Sequence, residues 1–212
     1  MQPHDCPSWD YEDHPDHKTI LPSLCTRLLL RLRAGVLDPL LLSCDTRAAH
    51  RFLFSELTPD DYDYFAGHYR GENFRCLKYY DVQVPSDPRV GVYAAGVARA
   101  IEYLMGVTGD GITAIDGAYA VPDAHLSKQE KIVYLVVFST RVLVEFLRVH
   151  PYANGNGHMG RFIIFSILAH YNIWPKKWPL DESPSYHQLI SDYRSGNPGP
   201  LEAFVLNAIL GK

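Results

Sequence analysis

From Lys128 to Val149 the chain runs without a glycine or a proline, and Ile132, Leu135, Val136, Val142, Leu143, Phe146 and Leu147 recur along it at helical spacing. Val133, Val137 and Val144 add apolar surface beside that stripe, so the predicted helix is buried nearly all round and sits at the centre of whatever forms. Ser127 with Glu130 is a capping-box start, and Arg141 with Glu145 is an i,i+4 pair. The helix must stop at His150, because the residue before a proline is pushed out of helical geometry. After HPYANGNGHMGR the apolar stretch FIIFSILAHY predicts a second buried helix, ended by Asn172 and Pro175. Two apolar helices joined by a glycine-rich turn point to an all-α fold. At 212 residues, 47% hydrophobic and 21% charged, the chain is sized for one core.

The rest of the chain agrees with that class. Residues 1–18 are polar and rich in His and Asp, and read as an irregular arm, leaving 19–212 as a single helical domain. His4, Cys6, His14 and His17 in the arm match no closed zinc spacing. A leucine-rich helix over 19–42 is broken near Gly35 and Pro39, and Asp45 caps a helix through RAAHRFLFSEL. Tyr79, Val82 and Val84 suit one small β-hairpin that Pro85 and Pro88 would stop. Tyr69 and Arg70 read as a buried aromatic beside a surface charge. Helical spacing returns over 89–105, the glycine-dense GVTGDGITAIDGAYAVPD reads as a flexible loop, and helices near 185–195 and 200–210 close the sequence.

A formal charge of -4 argues against a nucleic-acid partner bound through a broad basic surface. Cys6, Cys25, Cys44 and Cys76 form no C-x-x-C pair, and most of them are expected as free, buried thiols. No leader-like opening is present, and no uncharged apolar run reaches the roughly 18 residues that span a bilayer. The expected setting is a reducing cytoplasm without membrane attachment, or delivery into another cell by a route with no cleaved signal.

The chemistry lies in residues 150–161. Gly155, Gly157 and Gly160 spell G-x-G-x-x-G, and Asp181 follows about where a ribose-binding acid would fall. That fingerprint needs a strand before the glycines, and a long helix stands there instead. No Gly-Lys-Ser/Thr follows to make a P-loop. What remains is an anion site: free N–H groups at a helix N-terminus, glycines that admit a ligand closely, and the permanent charge of Arg161 one helical turn on. His150 faces the same pocket as a candidate general base toward an attacking hydroxyl.

HPYANGNGHMGR resembles the signature of Fic (filamentation induced by cAMP) domain proteins, H-x-F-x-[D/E]-G-N-G-R-x-x-R. His150, Gly155, Asn156, Gly157 and Arg161 match, and Tyr152 replaces the Phe. FAGHYRG at 65–71 is similar to the family's Gly-x-Tyr-Arg stretch, and the β-leaning segment after it to the family's target-docking flap, so that the likeness spans roughly residues 45–210. The resemblance implies a Fic-type helical bundle with a small hairpin. It implies transfer of AMP from ATP, or of another phosphate-linked group from another nucleotide donor, to a Ser, Thr or Tyr hydroxyl of a target protein docked near residues 73–85. His150 would take the hydroxyl proton, while Asn156 with the Gly155 and Gly157 backbone would hold the α-phosphate region. Arg161 would contact the phosphates beyond, and Tyr152 would anchor the loop in the core.

Two positions depart from the pattern. Asn154 stands where the family's acid ligates Mg²⁺, which weakens any metal site because a neutral amide replaces an anionic oxygen. His158 replaces an arginine and is only partly charged near neutrality, which loosens the grip on a terminal phosphate. These departures leave open a non-catalytic domain that binds a nucleotide or a protein, and an enzyme handling a phosphate on a small molecule. The family's inhibitory signature, [S/T]-x-x-x-E-[G/N], is nearly met by Ser8 to Asp13, and Glu72-Asn73 has its ending behind His68; an inhibitory partner is the other option.

Overall fold

The computed structural model describes residues 6–82, 84, 87–182 and 185–211. Among them the chain is all-helical, with no strand. Eight α-helices occur: α1 (His17–Arg33), α2 (Pro39–Cys44), α3 (Arg47–Phe54), α4 (Ala94–Ala120), α5 (Lys128–Val149), α6 (Asn156–His170), α7 (His187–Arg194) and α8 (Gly199–Leu210).

Helix α5 begins in the expected capping box, with Ser127 and Glu130 satisfying each other's backbone N–H groups. It packs against α4, α6, α7 and α8, which explains its apolar character on several sides. Glu145 pairs with Arg148 at 2.8 Å rather than with Arg141. Helix α6 is still more enclosed, with every residue from His158 to Leu168 buried. The break near Gly35 and Pro39 is real, since α1 ends at Arg33 and Asp38 caps α2 through the N–H groups of Leu40 and Leu41.

Three expectations need correction. The glycine-dense stretch after residue 105 is no loop, because α4 runs through it to Ala120. Thr108, Ile112 and Ile115 continue the buried stripe, and a Cβ at Gly111 would collide with the Phe138 ring of α5. Glycine is the condition for close α4–α5 packing, and burial outweighs a helix propensity deficit of about 1 kcal/mol per glycine.

The hairpin over 79–84 does not form among the described residues; Gln83 and Pro85 lie outside them. One of its carbonyls and one of its side chains are engaged elsewhere. Arg70 donates to the carbonyls of Tyr80 and Val92, Asp81 accepts from Ala94 N, and Gly91 N and Val92 N donate to the last carbonyls of α5.

Cys6 and Cys76 are joined in a disulfide, leaving Cys25 and Cys44 as free thiols. The arm that carries Cys6 is docked. Trp9 is buried, donates from Nε1 to Leu57 O at 2.9 Å and stacks on Phe65, and Tyr11–Asp13 forms a 3-10 turn.

Candidate functional site

The site is built where α5 stops and α6 starts. Pro151 bars His150 from helical geometry, and His150 adopts a left-handed conformation (φ 54°, ψ 60°) while its N–H still closes the helix on Phe146 O. Its Nδ1 faces Leu147 O at 3.3 Å, which assigns the ring proton to Nδ1 and leaves the Nε2 lone pair unshared. Burial, with the nearby Arg70 and Arg194 charges, pushes its pKa down to about 4, against the pull of the Leu147 carbonyl. The imidazole is therefore neutral near pH 7.

Beneath the histidine lies Arg70, which is 1% exposed and not on the surface as its sequence context suggests. Its guanidinium donates to four carbonyls: His150 at 2.8 Å, Tyr80 at 2.9 Å, Val92 at 2.9 Å and Val149 at 3.2 Å. Burial lowers its pKa to about 10, so it stays charged. One planar fork thus fixes the end of α5 and the segment beside it.

The loop from Tyr152 to Gly155 is held by its own side chains. Tyr152 is fully buried and its hydroxyl meets Thr46 Oγ1 at 2.8 Å, so it anchors the loop in the core. His50 stacks on the Tyr152 ring at 3.8 Å. Because His50 Nδ1 accepts from Gly67 N, its proton lies on Nε2 and is donated to Asn154 O at 3.0 Å. Burial drives the His50 pKa down to about 3, keeping the ring neutral. Asn156 spends both ends of its carboxamide on Tyr152, taking its N–H and donating to its carbonyl, each at 2.9 Å. The carboxamide is thus engaged in holding the loop, and the Asn156 backbone N–H remains open to a ligand.

Gly155 caps α6 in a left-handed conformation (φ 77°), and a Cβ there would come within 2.6 Å of the Phe54 ring. The first-turn N–H groups of α6 have no intrahelical acceptor. They open on a cavity of about 380 Å³ lined by His150, Asn154, Gly155, Asn156, Gly157, His158, Arg161 and Asp181, with Tyr11 and Glu12 of the arm. Seven sequence-predicted residues are thus in one place.

Arg161 is 1% exposed; it donates to Leu180 O at 2.9 Å and Tyr186 OH at 3.3 Å, and its Nε has no partner. No carboxylate neutralises it among these contacts. His158 Nε2 is buried and unpartnered as well. Burial and the Arg161 charge lower the His158 pKa to about 3, so the ring is neutral at pH 7, not partly charged. An anion would satisfy the Arg161 Nε–H and the open α6 N–H groups together.

A second cavity of about 260 Å³ lies on the other side of His150, between Val84, Val90 and Leu147 and the α7 residues His187, Ile190 and Arg194. The Arg194 charge there is paired with Asp87 at 3.1 Å. His150 is common to both cavities.

Comparison with family models, curated proteins and solved structures finds no match. The geometry has to carry the reading.

The Asn154 carboxamide is engaged by protein groups. Its Oδ1 accepts from Gly155 N, and its Nδ2 donates to Trp9 O at 3.3 Å and Asp10 Oδ1 at 3.2 Å. Among the described residues no group of three or more His, Cys, Asp or Glu is placed to hold a metal. Glu72 accepts from His68 and from Tyr69 N within its own turn. Arg70, His50 and the arm residues Tyr11 and Glu12 are the site residues that sequence reasoning missed or set aside. A buried arginine and histidine leave no periodic signal, though their place in or near FAGHYRG was the available hint.

Proposed function

We propose that this protein is a Fic-like transferase that moves a nucleoside monophosphate, AMP from ATP by default, or another phosphate-linked group, onto a Ser, Thr or Tyr hydroxyl of a target protein. The observation that carries the reading is the position of His150, with one wall in the cavity of orphaned anion donors and the other in a separate cavity. Such a transfer needs its base between a donor phosphate and an acceptor hydroxyl. His150 Nε2 would take the hydroxyl proton as the oxygen attacks the α-phosphorus, and the bond from that phosphorus to the rest of the donor breaks, so that with ATP pyrophosphate leaves. The α6 N–H groups and Arg161 would hold the charge on the phosphate oxygens, with the neutral His158 ring lining the same wall. Val84 and Val90 line the acceptor side, which suits docking of a target at the flap-like segment near residues 73–85.

The side-chain geometry supports no protein-held Mg²⁺ at Asn154, so a divalent ion would enter with the donor's own phosphates. A second reading, a non-catalytic domain that binds nucleotide or a protein partner, is favoured by one observation: the Asn154 carboxamide is tied to the arm. No described helix is long and apolar enough to cross a membrane. The Cys6–Cys76 bond favours time spent outside a reducing cytoplasm, in keeping with delivery from the cell that makes the chain.

The test is incubation of wild type and His150→Ala with cell lysate, with and without Mg²⁺, using donors labelled on the α-phosphate or, for phosphocholine donors, on the choline. Label on a protein with wild type alone supports the transferase and names its donor. Donor binding without label from any donor supports the non-catalytic reading.

A further inference from the structure

We infer that the amino-terminal arm is a latch across the anion cavity, fastened by the Cys6–Cys76 disulfide and released when that bond is reduced. The inference rests on the phosphate-group reading of the cavity.

The arm is held at three points. Cys6 is bonded to Cys76, Trp9 is inserted between Leu57 and Phe65, and Asn154 Nδ2 grips the Trp9 carbonyl and the Asp10 carboxylate. Directly after them, Tyr11 lays its ring edge-on to His158 at 5.4 Å and packs on Phe54 at 5.1 Å. Tyr11 and Glu12 thereby become part of the cavity wall. Asn154 serves as the catch.

Charge sets the direction of the effect. Residues 6–17 carry Asp10, Glu12, Asp13 and Asp16 and no lysine or arginine. Closing this segment over a cavity whose unpartnered donors suit an anion opposes a second anion by like-charge repulsion. An open arm removes that repulsion and uncovers His158.

The chemistry of release is a thiol–disulfide exchange with a dithiol reductant. Cys6 is half-buried and Cys76 is buried, so the reductant's thiolate attacks Cys6 Sγ. The Cys76 sulfur leaves with the electron pair and takes a proton. The second thiol of the reductant then displaces Cys6 from the mixed disulfide. The protein gains two electrons and two protons as two thiols, and the reductant ends as a disulfide. Without the bond, the arm competes for its seat through Trp9, Tyr11 and the Asn154 contacts only, at a lower effective concentration.

The experiment uses the full chain, oxidised and after treatment with a dithiol, with inorganic pyrophosphate as the probe. Affinity is read by calorimetry and arm mobility by amide hydrogen exchange. Reduction should raise pyrophosphate affinity about tenfold and speed exchange at residues 9–13. The oxidised Asp10→Asn/Glu12→Gln variant, which keeps the disulfide and the fold, should gain several-fold by losing the repulsive charge. Unchanged exchange in the arm, or an affinity that is unchanged or falls on reduction, overturns the latch. Loss of the reduced-state affinity in Arg161→Met supports the phosphate reading on its own. If Arg161→Met binds pyrophosphate as well as wild type does, the phosphate reading fails, and the latch has no anion to exclude.

Discussion

Arg70 Nε donates to the carbonyl oxygen of His150 at 2.8 Å, so the residue proposed as the base is positioned through its backbone by a buried cation. The same guanidinium holds three more carbonyls, and lysine cannot reproduce that fork. Arg70→Lys should lower stability by about 2–4 kcal/mol, since buried carbonyls left unpaired cost roughly 1–3 kcal/mol each and one ammonium recovers only part of the set. Urea unfolding checks the stability change. Transfer activity, measured well below the melting temperature, should fall further than the folded fraction does, because His150 loses its fixed position.

Acid should unfold this protein through its histidines. His50, His150 and His158 are held neutral by burial, with pKa values near 3, 4 and 3. Their folded values lie below the unfolded value of about 6.5, so the unfolded chain binds protons first. The stability they confer is complete above about pH 6.5 and is lost as pH falls toward 4 and 3. Each contributes a slope of about 1.4 kcal/mol per pH unit within that window. Urea midpoints from pH 4.5 to 8 should follow this course, and His50→Gln should remove roughly one third of the slope.

Two glycines of α4 should answer the same substitution with opposite signs. A Cβ at Gly106 meets nothing within 4 Å, so Gly106→Ala should stabilise by about 0.5–1 kcal/mol through helix propensity. At Gly111 the new methyl displaces the Phe138 ring, and overpacking of about 1–3 kcal/mol outweighs the same gain. Thermal melting of the two variants side by side decides the matter; equal shifts would mean that the α4–α5 contact is looser than described.

Asn154→Asp exchanges the amide that grips the arm for a carboxylate facing Asp10. The arm should loosen, seen as faster hydrogen exchange at residues 9–13 in the oxidised protein. The new carboxylate should also make donor binding respond to Mg²⁺ more strongly than in wild type, measured by calorimetry with and without the ion.

The helices of this fold were legible wherever burial repeats at helical spacing, as along Leu135 to Leu147, and at the stop imposed by His150-Pro151. The convergence of His150, Gly155, Gly157, His158 and Arg161 was legible because they are close in sequence and straddle one helix start. Long-range relations were not. Glycine at 111 looks like a loop former until Phe138 arrives against it. Arg70 looks like a surface charge until four carbonyls surround it, and the same contacts explain why no hairpin ladder forms beside Tyr80. Cys6 looks free until the polar arm folds back, held by the buried Trp9 and by Tyr11.

The seat of the arm is assembled from widely separated parts of the chain, and a ribosome delivers them in order. Trp9 can be buried once Leu57 and Phe65 have emerged, and Cys6 can be oxidised once Cys76 has followed. Tyr11 can meet Phe54 early, but its contact with His158 waits until α6 has folded. The first segment to be synthesised is thus among the last to reach its final place, and every newly made molecule passes through a stage in which its pocket stands uncovered.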